Sequence, residues 1–397
     1  MPFKMEKTMS TNKKELPSFL QTSLDFYLKD LIKYDDQHLV VGDKPKVGDV
    51  VLQSNDYLSL ANNTAIRETL KKSVDLCNES ILMSAVFVHK DDSKPTLEKQ
   101  LSSYVNFDNC LLFQSGWSAN TSLLQTICTE DVNVYIDFLA HMSLWEGARS
   151  GGAKITPFLH NNMRHLEKMI KRNGPGIIIV DSVYSTVGTI APLVELVAIA
   201  KKYNCATVID ESHSLGVYGK HGAGILDELN LSSEVDFMTA SLAKTFAYRA
   251  GAVWANNNFT QCIPYVGYPA IFSSTMLPYE LDVLEKTLHV IQSMDDARSY
   301  LFKQSQKLRA GFRDLGITIR SESQIISIET GEEDNTYEVR KYLEKNGVFG
   351  SIFCRPATSP KHSIIRFSVN SSLTDAQIDK ILSTCYSAIH SEHLYIK

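Results

Sequence analysis

"CATVIDESHSLGVYGKHGAG", residues 205–224, decides the fold. The run Ala206–Ile209 is apolar without alternation, the pattern of a strand covered on both faces in a mainly parallel sheet. It stops at Asp210 and is followed by Glu211, Ser212, His213 and a group of glycines. In open α/β sheets ligands sit beyond the carboxyl ends of the strands, so Asp210 and His213 fall where a ligand belongs.

Working outward, similar runs alternate with segments of helical period. "NCLLFQ" (109–114) precedes the helical "WSANTSLLQTIC", and "VNVYID" (132–137) precedes "HMSLWEGARS". "KITPF" (154–158) precedes "MRHLEKMIKRN", and "GIIIVDS" (176–182) leads to "LVELVAIAKKYN". "VDFMTAS" (235–241) and "GAVWAN" (251–256) extend the sheet. From residue 278 the texture changes to two long amphipathic helices, then short strands "ITIRS", "QIISIET", "VFGSIF" and "IIRFSVN" with helices between and after. The expected organisation is an N-terminal extension and helix (1–50), a large α/β domain (51–285) and a small α+β domain (286–397).

The chain has 397 residues, 44% apolar and 21% charged, with a net charge of -5. That balance argues against a general binder of nucleic acid or anionic membrane. Seven cysteines are scattered with no C-x-x-C pair, which reads as reduced thiols and neither a disulfide framework nor a zinc site. No run has the length of a signal-peptide core or a membrane helix. The expected compartment is the cytoplasm, with the first residues a frayed extension.

The strand ends carry reactive groups. "NCLLFQ" ends in Ser115-Gly116-Trp117, "GIIIVDS" leads to Ser185, and "VDFMTAS" ends with Ser241 and Lys244, while His141 follows "YIDFLA". A lysine amine, an acid at a strand end, a glycine at a strand-to-helix turn and several hydroxyls suit a phosphorylated aldehyde cofactor. The amine condenses with the aldehyde. A carboxylate keeps the pyridine nitrogen protonated through a charge-assisted hydrogen bond. Amides at a helix start hold the phosphate.

Each residue alone has a plainer reading. A lysine is usually a solvated surface group, an aspartate a cap, a histidine a satisfied core residue, and a glycine between strand and helix is common. Lys244 lies in "ASLAKTFAYRAGA" without an acidic neighbour, and the ordered set shifts the balance. A rival from another class is the S-x-x-K match of Ser241 to Lys244, the nucleophile motif of penicillin-recognising serine enzymes. Ser10 to Lys13 matches it too, and the companion S-D-N and K-T-G motifs are absent. A third alternative is a non-enzymatic interaction protein, which predicts loss of the lysine, aspartate or arginine. No P-loop and no strand-linked G-x-G-x-x-G appears.

The succession "QSGWSAN", "LAHMSL", "DSVYSTVGTIAPL", "VIDESHSLGVYGKHGAG", "TASLAKTFA", "FSSTMLP" and "CRPATSP…IIRFSV" resembles the α-oxoamine synthases. These are pyridoxal-phosphate (PLP) enzymes of fold type I, aspartate aminotransferase-like, which join an amino acid to an acyl-CoA and release CO2. The resemblance spans roughly residues 50 to 370, and within the family it is greatest to the branch that makes long-chain α-aminoketone quorum-sensing autoinducers. It implies Lys244 as the Schiff-base lysine, Asp210 facing the pyridine nitrogen, His213 at the phenolic oxygen and His141 stacked on the ring. Ser185 falls beside the cofactor. Ser115, Gly116, Trp117 and Ser241 would hold the phosphate, and Ser273 and Ser274 would reach the phosphate of a second subunit, implying a homodimer. Arg355 would grip the amino-acid carboxylate, a role suited to a planar bidentate donor, with Asn55 a further substrate contact. The implied substrates are a medium-chain acyl-CoA and either 2-aminobutyrate or S-adenosylmethionine, the alternative being glycine, alanine or serine.

Two departures touch the substrate side. Where the family carries a glycine-rich stretch, this chain has "SILMSAVFVHKDDSKP" (80–95), and "TFAYRAG" follows Lys244 where smaller residues are usual. The segment "PYVGYPAIF" (264–272) has two readings, an acyl channel or core packing.

Overall fold

The computed structural model describes residues 15–31, 33–34, 37–76, 83–87, 93–391 and 393–397. The expected frayed terminus, the Ser10–Lys13 match and Cys77 lie outside these residues. The other six cysteines are free thiols, and no described helix is long and apolar enough to cross a membrane.

The chain opens with α1 (Ser18–Leu31), β1 (Val50–Val51), α2 (Thr64–Leu76) and α3 (Ser93–Tyr104). Strand and helix then alternate: β2 (Asn109–Phe113), α4 (Gly116–Ile127), β3 (Asn133–Asp137), α5 (Met142–Ser150), β4 (Lys154–Phe158) and α6 (Met163–Asn173). They continue through β5 (Ile177–Asp181), α7 (Leu193–Tyr203), β6 (Ala206–Asp210), α8 (Ile225–Glu228), β7 (Phe237–Ser241) and β8 (Gly251–Ala255). Two short helices, α9 (Phe259–Val266) and α10 (Tyr268–Ile271), lead to the long α11 (Pro278–Gln292) and α12 (Asp295–Asp314). The last part comprises β9 (Ile325–Gly331), α13 (Glu333–Lys345), β10 (Val348–Phe349), β11 (Ser351–Phe353), β12 (Ser363–Ser368) and α14 (Asp375–Ile389).

Seven strands form one sheet in the order β2-β8-β7-β6-β5-β3-β4. Only β8 runs against the others. The unbroken apolar runs are explained by its two faces. In β5, Ile177 and Ile179 join the cluster containing Leu123, Leu124 and Val134, while Ile178 and Val180 join the opposite cluster with Leu166, Leu196 and Tyr135. A strand covered by helices on both sides has no polar face to alternate with. The fold is α/β, as expected.

The second sheet is antiparallel, in the order β11-β12-β9. Two expectations need correction. "ITIRS" forms no strand: Ile317 and Ile319 are buried, so the alternation is real, but the segment joins no ladder among the described residues. The anticipated boundaries also cut through structure. Val50–Val51 pairs in parallel with Val348–Phe349, and α11 runs without a break across residue 285.

β8 is buried along its whole length, and Trp254 at its centre donates from Nε1 to the carbonyl of Leu101 on α3 at 3.1 Å. Trp254→Ala is expected to lower the unfolding free energy by about 3–5 kcal/mol through the cavity it leaves. A denaturant midpoint within error of the wild type would contradict this packing.

Candidate active site

The carboxyl ends of β2, β3, β5, β6 and β7 border one cavity of about 230 Å³. Its wall contains Ser115, Gly116, Trp117, His141, Ser185, Asp210, His213, Ser241 and Lys244, so nine of the residues anticipated from the sequence meet there. A larger groove of about 650 Å³ lies between residues 43–49 and α13 and holds none of them.

At one end of the cavity α4 begins. The Ser115 hydroxyl caps it by accepting the Ser118 N–H at 3.1 Å. The amides of Gly116 and Trp117 then have no acceptor among the described residues. Free amides at a helix start, with the helix dipole behind them, make an anion cradle. Its shape depends on glycine. A Cβ on Gly116 would lie 2.6 Å from the Cβ of Ser241, and one on Gly251 would lie 2.3 Å from the carbonyl carbon of Ser115.

The floor is a hydrogen-bonded chain. Asp210 accepts from Asn120 Nδ2 and from the Ser212 amide, each at 2.8 Å. Asn120 donates its second proton to Ser143 Oγ at 2.9 Å, that hydroxyl lies 2.7 Å from His141 Nδ1, and the Ser143 amide donates to the same Nδ1 at 3.3 Å. His141 Nδ1 is thereby an acceptor and the ring proton sits on Nε2. The ring stands exposed at the cavity, edge-on to Trp117 at 6.2 Å between centroids. His213 is buried, with Nδ1 2.6 Å from the Tyr57 hydroxyl. Burial, aided by the charges of Lys244 and Arg366, holds His213 well below the usual histidine range.

Lys244 follows β7 on a tight turn and makes no ion pair among the described residues. Burial lowers its pKa, opposed by Asp210 and reinforced by Arg366. A desolvated amine is a better nucleophile and a better proton acceptor than a surface lysine. Ser241 ends a strand and Lys244 lies on a turn, so the S-x-x-K pair does not open a helix and the serine acyl-enzyme reading fails.

Some expected residues are elsewhere. Arg355 does not line the cavity; its side chain is 58% exposed, with Nε 3.9 Å from Glu333. The arginine near the site is Arg366 on β12, buried and donating to Asn55 Oδ1 at 2.9 Å and to the Ser185 carbonyl at 2.8 Å. Asn55 thus reaches the site through Arg366. Ser273 and Ser274 also lie outside the cavity wall. Ser273 donates to Gln114, and Ser274 bridges to Ser84. Sequence reasoning missed Asn120, Ser143, Tyr57, Asp181 and Arg366. Only Arg366 carried a signal: a charged residue inside the apolar run "IIRFSV" needs a buried partner.

Anion cradle, buried carboxylate, unpaired amine and open imidazole face suit a phosphorylated pyridine aldehyde and fit PLP. The model of aminotransferases of class I and II matches residues 47–384. The chain belongs to that family. It is 53% identical to the CAI-1 autoinducer synthase of Vibrio campbellii, over 96% of this chain and 98% of that one. It is 29% identical to the 8-amino-7-oxononanoate synthase of Alkaliphilus oremlandii, over 84% of this chain and 86% of that one. The serine palmitoyltransferase structure of Sphingomonas wittichii superposes with a TM-score of 0.85 at 24% identity, over 95% of this chain and 98% of that one, a likeness of fold. The family member is a PLP enzyme related to the α-oxoamine synthases.

Gly251→Ala must displace Ser115 and Gly116, so a folded variant is expected to bind PLP at least tenfold more weakly in absorbance titrations of the apoprotein. His213 gives a prediction with a definite sign. Its folded pKa is depressed, so below about pH 6.5 the unfolded chain binds a proton that the folded chain refuses. Stability from this group falls with falling pH by about 1.4 kcal/mol per unit. Buried Asp181, raised well above the carboxylate range, and Glu211, raised to about 7, act in the opposite sense. The clean measurement is therefore the difference between apo wild type and His213→Gln. Parallel stability curves from pH 6.5 to 5 would show that His213 titrates normally.

Proposed function

We infer that this enzyme condenses an amino-acid donor, 2-aminobutyrate or S-adenosylmethionine, with a medium-chain acyl-CoA, losing CO2 to form an α-aminoketone autoinducer. The observation that carries the reading is the meeting of unpaired Lys244 with Asp210, His141 and His213 around one cavity beside an anion cradle. The 53% identity to a CAI-1 autoinducer synthase supports the product class.

Bound PLP supplies an aldehyde that joins to amines and a ring that withdraws electrons from the carbon bearing that amine. The protein's own groups supply the rest. Lys244 would hold the cofactor's aldehyde and, as a free desolvated amine, would serve as the base for the proton of the substrate α-carbon. Asp210, fixed by Asn120 and the Ser212 amide, would hold the cofactor's ring nitrogen and its proton. The exposed imidazole of His141 would supply a face for the cofactor ring, and His213 would supply a hydrogen-bonding nitrogen for its phenolic oxygen. The amides of Gly116 and Trp117, with Ser115 and Ser241, receive the phosphate. Arg355 is held only by an exposed contact with Glu333, which costs little to break. It is the cation available to the amino-acid carboxylate, while Arg366 fixes the wall through Asn55 and Ser185. The assembly is a homodimer acting in the cytoplasm, with Ser273 and Ser274 turned toward the partner's cofactor phosphate.

The test crosses several amino acids with acyl-CoAs of graded length and reads α-aminoketone and free CoA by mass spectrometry. Absence of any aminoketone from a PLP-loaded protein would overturn the reading. Lys244→Ala should lose the borohydride-sensitive yellow colour and at least 10³-fold in turnover, in line with removal of an essential nucleophile and base. Arg355→Ala should raise the amino-acid KM about tenfold or more with the cofactor spectrum unchanged, whereas Arg366→Ala should disturb both, because it strands Asn55 and the Ser185 carbonyl.

A further inference from the structure

Two polar residues of the cavity wall, Asn120 and Ser143, stand between Asp210 and His141. Asn120 lies on α4 and Ser143 near the start of α5, and both are buried. Three contacts join the four residues in one line: Asp210 to Asn120 at 2.8 Å, Asn120 to Ser143 at 2.9 Å, and Ser143 to His141 at 2.7 Å.

Each proton in this line has one place. Flipping the Asn120 amide would set its oxygen against the carboxyl oxygen of Asp210, so the nitrogen faces both neighbours. That orientation leaves Asn120 Oδ1 buried with no partner among the described residues, a cost that calls for a reason. At the other end the Ser143 amide donates to His141 Nδ1 at 3.3 Å, so Nδ1 is bare. The Ser143 hydroxyl beside it therefore donates to Nδ1 and accepts from Asn120. A proton on Nδ1 would point at two donors, and the hydroxyl would have to turn away from the nitrogen it serves. The His141 proton is left on Nε2, which has no partner among the described residues.

We propose that Asn120 and Ser143 are positioning residues that lock His141 in one orientation, so that Nε2–H is the one proton its imidazole presents to a bound ligand. The proposal rests on the reading that PLP lies beside His141, and it does not depend on which substrates follow. Four other groups bear on the charge of the ring. Burial lowers the His141 pKa, Asp210 opposes this and Lys244 adds to it, while Asp181 accepts the His141 amide and His213 feels the ring's charge.

The experiment follows isotopically labelled histidine nitrogens by nuclear magnetic resonance in apoprotein and PLP-loaded enzyme, with His141→Gln identifying the His141 signals. Wild type should show a protonated Nε2 and a bare Nδ1. Ser143→Ala should raise the population with the proton on Nδ1 roughly two- to tenfold, the effect of one neutral hydrogen bond lost. It should also move the His141 titration midpoint to higher pH, because a bond that favours the neutral ring is gone. Asn120→Leu, which touches neither ring nitrogen, should act in the same direction by freeing the hydroxyl to accept. Either variant suffices if the other fails to fold. Wild-type tautomer populations and midpoint in the folded variants overturn the proposal, as does a wild type with its proton on Nδ1. His141 signals that ignore added PLP would sink the placement of His141 beside the cofactor, and the apoprotein tautomers would still decide the role of Asn120 and Ser143.

Discussion

The site depends on a half-buried lysine amine that makes no ion pair among the described residues. An isolated ammonium in such a place costs several kcal/mol, and the usual escape is to give up the proton. The fold holds Lys244 firmly in that place. Its turn is clamped by buried Leu242, Thr245 and Phe246, and the amide of Leu242 donates to the Ala250 carbonyl at 2.9 Å. Gly216, at a φ of +84°, passes so close that a Cβ there would lie 2.5 Å from Thr245 Cγ2. These contacts hold the turn in place, and partial burial lowers the Lys244 pKa, which favours attack on an aldehyde.

The acids beneath are sorted by their donors. Asp137 receives the Leu139 amide at 2.8 Å, the Asn161 amide at 2.9 Å and His160 at 3.0 Å. Asp210 receives two donors at 2.8 Å. Asp181, in register beside Asp210 on the neighbouring strand, receives only the His141 amide, bifurcated at 3.1 and 3.4 Å. Burial and the neighbouring charge of Asp210 push Asp181 well above the carboxylate range. Two adjacent buried carboxyls cannot both carry charge cheaply, and the one with fewer donors keeps its proton. Asp181 anchors the backbone that aims His141.

The main sheet was legible because two-sided burial removes alternation, and the run 177–180 says so residue by residue. The ends of β6 and β7 were legible for the same reason, since the polar residue that stops each run, Asp210 or Ser241, lines the cavity. "ITIRS" misled because alternation reports which side chains are buried and not whether the backbone finds a ladder. The supporting residues were harder. Asn120 lies in the second turn of α4, where nothing in the local pattern separates it from a surface polar residue; its importance comes from Asp210 and Ser143, brought near by the sheet order. Tyr57 reaches His213 across 156 positions of chain, a pairing that no local period encodes.

Placement of the two arginines shows how the site divides its work. Arg366 lies on a strand buried along its length, its guanidinium stacked 4.7 Å over Phe353 and bonded to Asn55 and Ser185. Such a group cannot follow a substrate in and out without breaking charge-assisted bonds worth about 1.5–3 kcal/mol each. Arg355 is exposed, with its Nε 3.9 Å from Glu333, a contact that costs little to break. Asp210, His213 and Arg366 are buried and each held by its own hydrogen bonds, whereas Trp117, His141 and Arg355 are exposed. Groups that stabilise developing charge work best when they need no reorganisation, and groups that admit and release substrate need the opposite. Burial has separated the two sets.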